Sequence, residues 1–92
     1  MTALMRSVSP AAQVAVAEMR QRAIARYLGR NRAGGTEPAS TLETTFVGLL
    51  VCTVTPGPTT TGGTRSYRAE FSLDDRPIST ERAGLAMMGL HP

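Results

Sequence analysis

Ninety-two residues, 41% of them apolar and 18% charged, describe one small folded domain with a modest core rather than a disordered chain. The longest apolar run, Phe46 to Val54, falls well short of the roughly 20 residues that a membrane-spanning helix needs. The single cysteine, Cys52, excludes an internal disulfide framework and fits a reducing, cytoplasmic compartment.

The net charge of +3 is unevenly spread, because residues 1–35 carry six arginines against Glu18 alone while residues 36–92 carry four arginines against six acids. All ten basic residues are arginine, a planar fork suited to phosphate and carboxylate oxygens. GC-rich codon usage is the competing explanation. The uneven distribution favours an anionic partner for the first segment. The opening "MTALMRSVSP" reads without the basic-then-apolar pattern of a secretory leader.

The first element is a helix from Pro10 to about Leu28, with Ser9 as N-cap, Pro10 at the first helical position and Gly29 as the stop. At 100° per residue, its apolar side holds Val16, Ala17, Met19, Ala23, Ile24, Tyr27 and Leu28, with Arg20 among them. Glu18, Arg22 and Arg26 lie opposite, and Glu18 stands four residues before Arg22 as a favourable intrahelical pair. Gly29 to Ser40 has no period and reads as a loop carrying Arg30 and Arg32.

"TLETTFVGLLVCTVT" then predicts one long strand bent at Gly48, with Leu42, Phe46, Leu50, Cys52 and Val54 on the core face and Val47, Leu49 and Val51 on the other. "PGPTTTGG" reads as a hairpin loop. A second strand, "TRSYRAEFSL", turns Tyr67, Ala69, Phe71 and Leu73 inward. Asp74 and Asp75 suit a tight turn into a short edge strand, Arg76 to Ile78, where Pro77 is tolerated. Ser79 or Thr80 caps a last helix whose apolar residues are Leu85, Met87, Met88 and Leu90, and Gly84 and Gly89 each weaken it by about 1 kcal/mol relative to Ala. The expected fold class is α+β: a small antiparallel meander of two long strands and a short edge strand, with both helices on one face.

Chemistry is sparse. His91, the one histidine, lies one residue from the C-terminal residue and is a poor base or ligand. With one Cys and one His, no zinc site of those residues assembles within a chain. Cys52 sits on the predicted core face, where a nucleophile is of no use, and "TGGT" lacks the lysine and helix of a phosphate-binding loop. The expectation is a protein that is not an enzyme and takes no cofactor or metal.

Binding is what remains. Arg22 and Arg26 lie one turn apart on the outer helix face, with Arg30 and Arg32 beyond them and Arg65 and Arg68 as extensions from the second strand. Such a row either tracks an anionic backbone, DNA or RNA, or complements the helix dipole. The apolar Val47, Leu49 and Val51, on the side of the sheet away from the helices, predict a contact surface for a partner or a homodimer.

A compact α+β unit of this length with "RYLGRNRAGG", an open sheet and no catalytic residues resembles the small phage-encoded inhibitors of bacterial defence, anti-CRISPR proteins included. The resemblance is one of format and rests on no shared motif. It implies a non-catalytic inhibitor that docks on a host protein or ribonucleoprotein complex and obstructs it. Many such inhibitors are acidic nucleic-acid mimics, and a chain at +3 departs from that pattern. The alternative expectation is a structural, self-assembling phage or bacterial subunit that uses the open sheet face.

Overall fold

The computed structural model describes residues 8–58, 62–63 and 66–91. Its elements run α1 (Pro10–Arg30), β1 (Ala39–Thr45), β2 (Gly48–Pro56), β3 (Tyr67–Leu73), β4 (Arg76–Ile78) and α2 (Thr80–Met87). The four strands form one antiparallel sheet in sequential order, β1-β2-β3-β4, so the fold is α+β as expected.

Helix α1 starts as the sequence predicts. The Ser9 hydroxyl accepts the Ala12 N–H at 3.2 Å and Pro10 occupies the first turn. Its end lies two residues beyond the predicted one, because Asn31 rather than Gly29 caps it. The Asn31 backbone N–H and its side-chain Nδ2 both donate to the Tyr27 carbonyl, at 3.1 and 2.8 Å. The buried side is Ala12, Val16, Met19, Ala23 and Tyr27. Ala17 and Leu28, expected on that side, are exposed.

The single long strand expected over residues 41–55 is instead a hairpin. β1 and β2 pair from Thr45 opposite Gly48 to Ala39 opposite Val54, and only Phe46 and Val47 form the turn. Thr45 builds that turn: its Oγ1 donates to the Gly48 carbonyl at 2.7 Å and accepts the Val47 N–H at 3.2 Å. Folding back this way pairs odd residues with even ones, which reverses the parity of the core face. Leu50, Cys52 and Val54 face the helices as predicted, but their β1 neighbours there are Ala39 and Thr41. Leu42 and Phe46, predicted in the core, are 63% and 100% exposed.

The remaining joins are close to expectation. Gly57 N–H to the Ser66 carbonyl (2.9 Å) and Ser66 Oγ to the Pro58 carbonyl (2.6 Å) hold the arms of the β2–β3 connection together, while residues 59–61 of the predicted loop lie outside the described residues. Asp74 and Asp75 make the two-residue β3–β4 turn, both with positive φ (48° and 68°). The short Asp side chain, like Asn, tolerates that left-handed geometry better than most. Asp74 also reaches across to the hairpin: its N–H donates to the Leu49 carbonyl and its Oδ1 accepts the Leu49 N–H, at 3.0 and 2.9 Å. Pro77 lies on edge strand β4, as predicted.

Both helices cover one face of the sheet. Met19, Ala23 and Tyr27 of α1 and Ala83 of α2 pack on Leu50, Cys52, Val54 and Phe71. The Thr41 hydroxyl, buried in this layer, donates to the Met19 carbonyl at 3.0 Å and ties β1 to α1. Helix α2, capped by Ser79 through the Arg82 N–H, buries Ala83, Gly84, Leu85 and Ala86, while Met88 and Leu90, expected to be apolar anchors, are exposed. Gly84 is a packing position. A Cβ there would stand 2.6 Å from Val8 Cγ1, so the missing methyl is what lets α2 approach the start of α1.

Candidate functional site

Among the described residues nothing covers the sheet face away from the helices, and its surface divides into a polar end and an apolar end. At the polar end, Ser40 Oγ and Thr53 Oγ1 are 3.1 Å apart across β1 and β2, and Arg68 pairs with Glu70 at 3.8 Å on β3. At the apolar end, Leu42 stands opposite Val51, and Leu49 follows, 41% exposed. At the hairpin tip stand the fully exposed Phe46 and the partly buried Val47. Leu49 and Val51 therefore lie on the open face as predicted, whereas Val47 belongs to the turn and not to a strand row. Leu42 joins them there, whereas Phe46 lies at the tip near Gly89 and Met87, on the side of the last helix; sequence reasoning missed both because it read one strand where the chain doubles back.

Beneath the same tip is a shallow pocket of about 270 Å³ lined by Glu43, Thr44, Thr45, Phe46 and Met87. It brings together one carboxylate, two hydroxyls and apolar groups, without a base or a second acid. Among the described residues no group of three or more His, Cys, Asp or Glu is arranged to hold a metal ion. Cys52 is fully buried and is the free thiol of the chain. Burial pushes its pKa up, and the positive charge of Arg20 opposes that shift in part. His91 is exposed.

The arginines do not form one strip. Arg26 and Arg30, one helical turn apart, reach over the free edge of the sheet: Arg26 donates to the Ser40 carbonyl and Arg30 to the Pro38 carbonyl, each at 2.7 Å. Arg30 also lies 4.0 Å from Glu37. The neighbouring Asn31 exchanges hydrogen bonds with Glu37, donating to its carbonyl at 2.9 Å and accepting its N–H at 2.8 Å. Arg22 and Arg32 are exposed, and among the described residues neither has a hydrogen bond or ion pair; the expected Glu18–Arg22 pair does not close. Arg68 sits on the opposite face of the sheet, beside Glu70, and Arg65 lies outside the described residues.

No protein-family model, curated protein or solved structure matches this chain. Among the described residues no helix is long and apolar enough to cross a membrane. Tyr67, on the helix side of the sheet, packs its ring 5.9 Å from that of Tyr27 but stays 43% exposed, so it is not the buried inward residue that the strand alternation predicts.

Proposed function

We propose that this chain is a non-catalytic binding protein that docks on a nucleic-acid-containing complex and obstructs it. Its protein contact is the apolar end of the open sheet face, and Arg22 and Arg32 meet a nucleic-acid backbone or an acidic protein patch. The observation that carries this reading is the pair of exposed apolar side chains on the open sheet face, Leu42 at 63% and Leu49 at 41% exposure, with the fully exposed Phe46 at the hairpin tip beside them. Burying such side chains on a partner releases roughly 25 cal/mol per Å² of apolar surface, a driving force that does not fade with salt as phosphate contacts do. Contiguous apolar patches of this kind mark contact surfaces.

The basic groups favour a partner with acidic or phosphate surface nearby. Arg26 reaches Ser40, two residues along β1 from Leu42, and Arg22 is the next turn of the helix toward that end. Arg22 and the apolar cluster thus border the same edge strand, while Arg32 lies beyond the other end of it. Arg22 and Arg32 have all their guanidinium donors available.

The test is affinity capture of the folded wild-type chain from bacterial lysate, with and without nuclease and across a salt series, beside two variants. Leu42→Asp/Leu49→Asp alters the face and Arg22→Ala/Arg32→Ala the free cations. The expected result is a defined set of copurifying chains that survives high salt, is lost with the face variant, and is recovered less well with the arginine variant. Equal recovery by wild type and face variant, recovery of nuclease-sensitive bulk nucleic acid alone, or a stable homo-oligomer that captures nothing overturns the proposal.

A further inference from the structure

β1 is an edge strand, and an edge strand presents unpaired N–H and C=O groups to any other strand that approaches. Because the Ser40 carbonyl points out to Arg26, the alternation of an antiparallel ladder turns the backbone groups of Leu42 and Thr44 outward as well, while Thr41, Glu43 and Thr45 bond to β2. The outward row is not left bare throughout. The approach to β1 and its first outward carbonyl are met by side chains from the end of α1: Asn31 takes both backbone groups of Glu37, Arg30 the Pro38 carbonyl and Arg26 the Ser40 carbonyl. The match is geometric. Arginines four residues apart on a helix are separated by about 6 Å along its axis, and alternate strand carbonyls by about 6.7 Å, so successive turns of one element serve successive outward carbonyls of the other.

We propose that Arg26 and Arg30 are a cover on the sheet edge that keeps this chain from adding to a second copy of itself. The occupant that the cover excludes is β1 of another chain, antiparallel and centred on Leu42. In that register Ser40 pairs with Thr44 of the second copy, Leu42 with Leu42, and Glu43 faces Thr41. All three outward residues of each strand engage, and no like charges meet. Two of its bonds need a Ser40 carbonyl, one from each copy, and Arg26 already holds it. The other registers are poor substitutes: centring on Thr41 pairs Ser40 with Leu42 twice and so needs the same Ser40 carbonyls that Arg26 holds. Centring on Glu43 sets two carboxylates directly opposite each other, which is destabilising, and centring on Thr44 leaves one bonded pair within the strand.

The experiment is solution mass against concentration, by light scattering on a sizing column, for wild type, Arg26→Ala/Arg30→Ala and Arg22→Ala/Arg32→Ala. The two variants lose the same charge, but only the first uncovers β1. Wild type and the Arg22/Arg32 variant are expected at the 9.8 kDa one-chain mass at every concentration. The Arg26/Arg30 variant is expected to double in mass as concentration rises, and adding Thr44→Pro, which removes an outward N–H, returns it to one chain. A two-chain mass for wild type, a one-chain mass for the uncovered variant, or equal association of both variants overturns the proposal. Far-UV circular dichroism checks the fold. If the double variant has lost it, Arg26→Ala alone, which frees the Ser40 carbonyl, is measured, and a one-chain mass for that variant counts against the cover.

Discussion

Replacing Gly84 by Ala is expected to destabilise the protein, although Ala is the better helix former. In an exposed helix the change gains up to about 1 kcal/mol. Here the new methyl would arrive 2.6 Å from Val8 Cγ1 and 3.1 Å from Val8 Cγ2. Val8 has little room to yield: it is 4% exposed, packs on Ala12 and Leu85, and its carbonyl accepts the Gln13 side-chain amide at 2.9 Å. Overpacking of this kind costs about 1–3 kcal/mol. The two effects together give a net loss of about 0–2 kcal/mol, and for a domain of this size each kcal/mol lowers Tm by about 4–8 °C. The sign depends on the background. In a Val8→Ala chain the obstructing methyls are gone, so Gly84→Ala there should stabilise by up to about 1 kcal/mol. Urea unfolding of wild type, both single variants and the double variant closes a cycle whose coupling is expected at about 1–3 kcal/mol. A stabilising Gly84→Ala in the wild-type background, or the same effect in both, refutes the claim that Gly84 permits the α1–α2 approach.

Gly48→Ala is expected to cost about 2 kcal/mol or more, because φ there is +146° and a Cβ would meet the Asp74 carboxylate that bonds the Leu49 N–H. Thermal unfolding measures it, and a variant as stable as wild type removes Gly48 from the list of required glycines. Cys52 gives a pH prediction. Its folded-state pKa is raised, so below about pH 8.5 the thiol is protonated in both states. Above that the unfolded chain releases the proton first, and stability falls by up to about 1.4 kcal/mol per pH unit. Urea titrations from about pH 7.5 to about pH 9.5 should show this loss in wild type and not in Cys52→Ala; parallel curves refute it.

Legibility in the sequence followed how local the determinants are. Ser9 and Pro10 announce the start of α1 through their own chemistry, and Asp74–Asp75 announces its turn in the same way. The α1 terminus escaped because Asn31, which caps through the Tyr27 carbonyl, is held in place by bonds to Glu37, six residues on, which no periodicity reveals. The β1–β2 hairpin escaped because its turn is Phe46–Val47, residues that favour strands, and the device that bends the chain is the Thr45 hydroxyl. That one misreading carried the site with it. Once the chain doubles back, Leu42 and Phe46 leave the core for the surface. The arginine cluster was visible from composition, but the division between Arg26 and Arg30, bonded to strand carbonyls, and the unpartnered Arg22 and Arg32 depends on where β1 lies.

The opposite border of the sheet gives the fold a valence. In β4, Arg76 and Ile78 face inward to β3, and the residue between them is Pro77, which has a carbonyl and no N–H to offer. That border is a terminus for hydrogen bonding, whereas the β1 border is at most a single docking point. A head-to-tail filament needs two complementary edges on every copy. This sheet has one, so association through its edges, once the arginines are removed, closes at two chains and does not propagate into a fibre.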